Sequence, residues 1–242
     1  MRSGSISIQG QRSQNEDACF TRFVPGQPLI AAVADGMGGH AAGEVASRLS
    51  VEAMDICTRE YAGSPQNMLS EAFTLANGKV LASSEENPER KGMGSTLVAA
   101  LFYADYFITA NVGDSRLYHI HENGMSRVTI DHSYVEELRM AGLLTEEQAR
   151  RHPNRNWITR CVGMHTDFAP DFFHTSWKRG DTVLLCSDGL CGFVPEEDIL
   201  TVILSGGSPD EICRELAETA LLRGSTDNIT AVIVKNEDSL QA

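Results

Sequence analysis

None of the six cysteines (Cys19, Cys57, Cys161, Cys186, Cys191, Cys213) stands in a C-x-x-C spacing. In a chain of 242 residues they read as buried free thiols of a reducing compartment, not as a disulfide framework. Long apolar runs are also missing. The longest uncharged one, Thr96 to Ala104, is far below the ~18 residues that a membrane span needs. The opening MRSGSISIQGQRSQ has no apolar h-region, so no secretory signal is expected. Basic charge is short, with 20 Lys and Arg against 33 Asp and Glu and a net charge of −13. An acidic surface repels phosphate backbones and anionic lipid, so neither nucleic acid nor membrane is an expected partner. No linker, low-complexity tract or 20–50-residue repeat is visible, which predicts a single domain over residues 1–242 with a tail after Val234. These absences together predict a soluble, cytoplasmic protein.

What is present is ordinary globular composition, with 42% hydrophobic and 22% charged residues, and enough length to build a core without staples. β-Branched and aromatic residues cluster between turn signals at Ile6–Gln9, Leu29–Ala34, Thr96–Tyr103, Tyr106–Val112, Arg116–His121, Met125–Ile130, Thr182–Ser187 and Ile229–Val234, which predicts strands. Tyr103 and Tyr106 flank a two-residue turn, and Glu122-Asn123-Gly124 marks a second hairpin, so the sheets should be antiparallel. Helical spacing is expected over Val45–Tyr61, with Ala46, Leu49, Ala53 and Ile56 on one face, and over Asn67–Ser84, with Leu69, Ala72, Phe73, Ala76 and Val80. Ser208 with Glu211 forms a capping box before a helix over Asp210–Arg223, Pro209 suits its first position, and Gly224 suits the position after its end. Pro195–Leu204 reads as a further helix. Blocks of hairpins and helices predict an α+β sandwich, antiparallel sheets with helices packed outside. The charged segment from His132 to Pro153 reads as an excursion, with Thr145 and Gln148 capping one short helix and Val135 with Leu138 marking another.

Acidic residues recur at strand ends beside glycine or small residues: Asp35-Gly36, Gly113-Asp114, Asp188-Gly189 and Asp227-Asn228. Glycine allows close backbone approach, so a carbonyl can serve as a ligand. Carboxylate and carbonyl oxygens are what Mg²⁺ and Mn²⁺ prefer. If these ends share one edge of the sandwich, the carboxylates converge and repel unless a cation joins them. Each Asp-Gly taken singly is also a common turn dipeptide.

Six blocks occur in order: Gly10-Gln11-Arg12-Ser13-Gln14-Asn15-Glu16-Asp17, Ala34-Asp35-Gly36-Met37-Gly38-Gly39-His40, Gly92-Met93-Gly94-Ser95-Thr96, Asn111-Val112-Gly113-Asp114-Ser115-Arg116, Cys186-Ser187-Asp188-Gly189-Leu190 and Ser225-Thr226-Asp227-Asn228-Ile229-Thr230. The chain thereby resembles the metal-dependent protein phosphatase family (PPM, protein phosphatase 2C-like) in its compact bacterial form, from about Ile6 to Val234. His132-Ser133 with His152-Pro153 resembles that family's flap, here about residues 132–157. The resemblance implies a four-layer αββα sandwich with two central antiparallel sheets. It implies two core Mn²⁺ or Mg²⁺ ions and a weaker third. Asp35 would bridge the core pair, with the Gly36 carbonyl on one ion and Asp188 and Asp227 on the other. Glu16 and Asp17 would act on the metal waters, and Asp114 would serve the third ion. Arg12 would grip the substrate phosphate, and His40 is a candidate general acid. The implied reaction is hydrolysis of phosphoserine and phosphothreonine by a metal-bridging hydroxide, without a phosphoenzyme. The implied partners are phosphoprotein substrates and a cognate serine/threonine kinase, with the enzyme acting as a monomer.

Three rival readings are weaker. An inert binding module of the same fold would have lost a metal ligand, and none is lost. A calcium-binding or structural acidic domain leaves Arg12 and Glu16 without a task. A metal-dependent nuclease conflicts with the net charge. Cys186 reads as a core residue, and His119 with His121 as exposed strand polars in preference to a metal pair.

Overall fold

The computed structural model describes residues 1–38, 42–60, 63–164 and 168–237. The strands β1 (Arg2–Ile8), β2 (Asp17–Arg22) and β3 (Leu29–Met37) come first, followed by the helices α1 (Ala42–Glu60) and α2 (Pro65–Glu86). Next come β4 (Gly94–Ser95), β5 (Leu97–Phe102), β6 (Tyr106–Val112), β7 (Arg116–His121) and β8 (Gly124–Arg127). The flap contributes α3 (Tyr134–Met140) and α4 (Glu146–Arg150). The chain ends with β9 (Asp171–Ser176), β10 (Thr182–Cys186), α5 (Asp188–Cys191), α6 (Glu196–Leu204), α7 (Pro209–Leu222) and β11 (Ile229–Lys235).

Among the described residues the strands form two antiparallel sheets, ordered β1-β11-β10-β7-β8 and β2-β3-β5-β6-β9, with β4 paired to β3. Successive side chains of a strand leave opposite faces, and here both faces are covered. Leu29, Ala31 and Val33 meet Val183, Leu185, Val232 and Val234 between the sheets. Ile30, Ala32 and Ala34 turn outward to α1 and α2. Leu184, Cys186, Ala231 and Ile233 turn the other way, to α6 and α7. The result is the αββα order of layers with three apolar interiors. Two-sided burial explains why these strands read as continuous apolar runs.

The capping box of α7 is present as read, as is that of α4, and the α2 stripe is fully buried. On α1 the expected face holds at Ala46, Leu49 and Ala53, which join the core, and fails at Ile56. Ile56 is 44% exposed, whereas Ser47, Ser50 and Thr58 are buried. Ser50 and Thr58 donate to the carbonyls of Ala46 and Met54 at 2.8 and 2.6 Å, so small hydroxyls occupy that face with their polarity satisfied. β2 and β9 are strands that the residue pattern does not announce, and β1 starts four residues before the expected Ile6. β8 stops at Arg127 because the Thr129 hydroxyl takes the Leu117 N–H at 3.0 Å in place of a backbone carbonyl. No helix among the described residues is long and apolar enough to cross a membrane.

Candidate metal and phosphate site

β3 does not end at the Asp35-Gly36 pair. It runs through both to Met37, with Gly36 opposite Ser95 and Met37 opposite Gly94. That excludes a turn and fixes the Asp35 backbone. Its N–H donates to Thr96 Oγ1 at 2.8 Å, and its carbonyl accepts from Thr96 N–H and Ser95 Oγ at 2.8 and 3.0 Å. Asp17 sits opposite Asp35 on β2. A Cβ on Gly36 would lie 2.0 Å from the Gly43 carbonyl, so only glycine permits this approach to α1. The Glu16 carboxylate lies against Gly43 in the same crevice, where a Cβ on Gly43 would come within 2.6 Å of Glu16 Oε1.

The other sheet supplies Asp188 and Asp227. Asp188 opens the single turn of α5, directly after β10. Its N-cap Ser187 does not cap the helix. The Ser187 hydroxyl instead donates to Asp17 Oδ2 at 2.7 Å and accepts from Thr230 N–H at 3.1 Å, stitching the two sheets together beneath the acids. Asn228 does the same on the outer side. Its amide donates to the carbonyls of Gln9 and Gln14, each at 2.8 Å, and its oxygen accepts from Glu16 N–H at 2.9 Å. Asp114 follows Gly113, whose φ of 107° suits glycine. Ser187, Asn228 and Thr96 are thus the residues that hold the site. They stand in the quoted blocks, but their tasks emerge only when both sheets are assembled.

The acids converge as the strand-end pattern predicts. The Asp35 and Asp188 carboxyl groups lie close enough to act on each other. Burial, then the charges of Asp17, Asp188, Asp114 and Asp227, push the Asp35 carboxyl well above the ordinary carboxylate range. Asp114 is raised well above it by burial and by Asp188 and Asp131. Burial raises Asp188, with Asp227 adding to the shift, and burial raises Glu16. Asp17 is pushed up to about 7, mainly by burial. Arg12 stands at the mouth, exposed, with Nη2 2.7 Å from Asp227 Oδ2. His40 lies outside the described residues.

The donor set consists of hard oxygens and suits a divalent cation. Asp17 Oδ1 is buried without any hydrogen-bond partner, the signature of an oxygen whose natural partner is an ion or water. Among the described residues no three His, Cys, Asp or Glu side chains close around one ion position, since Arg12 engages Asp227 and Asp35 meets Asp188. A cation entering here would take over both contacts. His119 and His121 form no metal pair. His119 is buried, contrary to the exposed position expected of it, and its Nε2 meets Asp181 Oδ2 at 2.9 Å, while His121 meets Ser126.

Above the acids lies a cleft of about 370 Å³ whose lining runs from Arg12, Asp114, Asp188 and Asp227 to the flap residues Arg139 and Arg155. The flap is pinned at both ends. At its entry, His132 N–H donates to the Gly113 carbonyl at 2.9 Å, Gly113 N–H donates to His132 Nδ1 at 3.2 Å, and His132 Nε2 meets Asp171. After its exit, Ser95 and Val162 form a bridge, and Asn77 of α2 accepts from the N–H groups of Gly163 and Met164 at 2.7 and 3.1 Å. Inside it, Glu136 is held by Arg139 and by Arg127 of β8, and just before it Asp131 is held by Arg116 of β7.

Comparison with known proteins agrees with this fold. A family described as Protein phosphatase 2C matches residues 7–219. The chain is 36% identical over 214 residues to "Serine/threonine phosphatase stp" of Listeria welshimeri, covering 86% of this chain and 84% of that one. It superposes with a TM-score of 0.90 and 33% identity on the crystal structure of the serine/threonine phosphatase Stp1 from Staphylococcus aureus, covering 98% and 95% of the two chains. With a TM-score of 0.85 and 35% identity it matches the catalytic domain of serine threonine protein phosphatase PstP in complex with two manganese ions, covering 96% of each chain.

Proposed function

Because this chain belongs to the protein phosphatase 2C family, we propose that it is a metal-dependent phosphatase of phosphoserine and phosphothreonine proteins. The observation that carries the reading is the convergence of Asp17, Asp35, Asp114 and Asp188 from both sheets beneath Arg12. Mn²⁺ or Mg²⁺ bound there would activate a water as nucleophile and withdraw charge from the phosphoryl oxygens.

The chain's own residues divide the remaining work. Asp35, Asp188 and Asp227, with the Gly36 carbonyl, would hold the core ions. Glu16 and Asp17 orient water from behind. Ser187 holds Asp17 Oδ2 and leaves Oδ1 available. Asp114 serves a third, weaker ion beside the flap root. Arg12 is exposed and already bonded to a carboxylate oxygen, so its guanidinium can exchange that oxygen for a phosphoryl oxygen at the same mouth. Such an exchange binds substrate and frees Asp227 for an ion. The leaving serine or threonine oxygen takes its proton from solvent held in the cleft or from His40.

A cognate serine/threonine kinase is the proposed counterpart, and a monomer the proposed acting form. All six thiols are free, in keeping with the reducing cytoplasm proposed as its setting. The test is hydrolysis of a small aryl phosphate and of a phosphoserine peptide, with Mn²⁺ and with chelator. Mn²⁺-dependent turnover of both is expected, and turnover of neither would overturn the reading.

A further inference from the structure

Two thiols idle in this chemistry lie on either side of Asp188. Cys186 is the last residue of β10 and fully buried, and Cys191 ends α5. Both turn to the helix-covered side of the sheet, Cys186 inside the cluster that contains Leu190 and Val194 and Cys191 packed against it. The two side chains share that one cluster, close enough for each to perturb the other. Between them the chain doubles back. The Ser187 carbonyl accepts from the N–H groups of Leu190 and Cys191 at 3.2 and 3.3 Å and from Cys191 Sγ at 3.5 Å. The return is clamped from the other side, since a Cβ on Gly189 would lie 1.8 Å from the Asn228 carbonyl.

The two sulfurs differ in access. Cys191 is half-buried and lines the cleft together with Arg116 and Asp188, whereas Cys186 has no surface. A small oxidant entering the cleft therefore meets Cys191 first, beside the Arg116 guanidinium, and Cys186 stands behind it as the only neighbouring thiol.

We propose that Cys186 and Cys191 form a hydroperoxide-sensitive dithiol that closes to a disulfide around Asp188 and turns the site off. In the first step the Cys191 sulfur attacks a peroxide oxygen. The S–O bond forms, the O–O bond breaks, and the departing oxygen leaves with a proton as water or alcohol, so that Cys191 becomes a sulfenic acid. In the second step the Cys186 sulfur attacks the Cys191 sulfur. The S–S bond forms, the S–O bond breaks, and the hydroxyl leaves with the Cys186 proton as water. Two thiols lose two electrons in all, and one hydroperoxide gains them. A dithiol reductant reverses the change.

The consequence for the site follows from chain length. Ser187, Asp188, Gly189 and Leu190 are the residues enclosed by the new bond. A disulfide demands a fixed torsion and a Cα separation of about 4.4–6.8 Å. A turn this short adapts to those demands by shifting its backbone, and Asp188 moves with it. The loss of activity rests on reading Asp188 as an ion ligand; the oxidation itself does not.

The experiment uses the full chain loaded with Mn²⁺ and exposed to hydrogen peroxide, then alkylated and examined by intact mass and peptide mapping. The expected product has lost about 2 Da, the mass of two hydrogens, and carries a Cys186–Cys191 linkage. Its Mn²⁺ affinity is lower by about tenfold or more, a differential of at least one decade in Kd. Dithiothreitol restores mass, affinity and turnover, and Cys191→Ser keeps its starting activity through the same treatment. Inactivation with both thiols still open to alkylation overturns the proposal, as does stepwise oxygen uptake on Cys191 without linkage. A linkage that leaves Mn²⁺ affinity unchanged also overturns it. An untreated chain that hydrolyses no phosphoester would defeat the phosphatase reading instead, and the mass measurement would still decide the dithiol.

Discussion

Asp114 on the floor of the site and Glu136 in the flap are both buried acids, 8% and 5% exposed, and they fare in opposite ways. Burial and the neighbouring Asp188 and Asp131 hold Asp114 well above the usual carboxylate range. The Arg139 hydrogen bond, helped by Arg127, holds Glu136 below it. Both side chains are shut off from solvent, but desolvation weighs most on Asp114, whereas at Glu136 the arginine hydrogen bonds outweigh it. The flap acid is matched by two arginines, Arg139 of α3 and Arg127 of β8. The floor gathers like charges under one exposed arginine, and on the proposed reading cations complete it. Each region can be challenged separately, and the outcomes should differ in kind.

The largest effect belongs to the floor. Asp35→Asn or Asp188→Asn should lower Mn²⁺-supported turnover by roughly 10³-fold or more, since a neutral amide replaces an ionic ligand of the reaction. The same change should leave the circular dichroism spectrum unchanged and raise the melting temperature in chelator, because a repelling charge is gone. Full activity at saturating Mn²⁺ would remove either residue from the site. Arg12→Ala should lower kcat/KM by about 30–150-fold, the equivalent of ~2–3 kcal/mol for a lost charge-assisted contact. Most of that should appear in KM, with Mn²⁺ titrations showing no weakening. An unchanged kcat/KM would return Arg12 to the surface.

In the flap, Glu136→Gln strands two arginines, and a fall in stability of about 1–2 kcal/mol is expected from a half-broken, partly buried network. Arg155→Ala should lower turnover of a phosphoprotein a few-fold and leave a small aryl phosphate unaffected, because a small ester scarcely reaches the flap end of the cleft. Equal losses on both substrates would show that the flap shapes the floor and erase the distinction between the regions. The smallest effect is on pH dependence. Asp17 is raised from the ordinary value to about 7 in the folded chain, so between about pH 4 and 7 the folded state keeps a proton that the unfolded state has released. That contribution is fully present below pH 4 and is lost as pH rises through 7. In chelator the melting temperature should therefore fall by at least about 4 °C between pH 5.5 and 7.5, where 1 kcal/mol corresponds to about 2–4 °C. Asp17→Asn should flatten the slope.

Central strands were the legible part of the fold. β3, β5, β10 and β11 are buried on both faces, and their unbroken apolar runs announce them. The strands missed or clipped, β1, β2 and β9, all lie at sheet edges. An edge strand needs only part of its surface to be apolar and tolerates Asp17, Thr21, Arg22 or His174, so composition hides it. The acids of the site were legible for a related reason. They stand where an apolar run stops beside a small residue, a contrast visible along the chain. Ser187, Asn228 and Thr96 carry no such contrast. A hydroxyl or amide gains meaning only from the distant backbone it meets, and Asn228 joins positions more than two hundred residues apart. The thiol pair around Asp188 stayed hidden similarly, because its spacing matches no motif and its contact depends on one helical turn.

The pinned ends of the flap set it apart from the sandwich beneath it. His132 at the entry is fastened to Gly113, and Gly163 past the exit to Asn77 of α2, while α3 and α4 between them lean on their own caps and on Arg139 and Arg127. The stretch between the pins is therefore a cassette. A change within it is expected to alter what meets the cleft from above before it moves an oxygen of the floor.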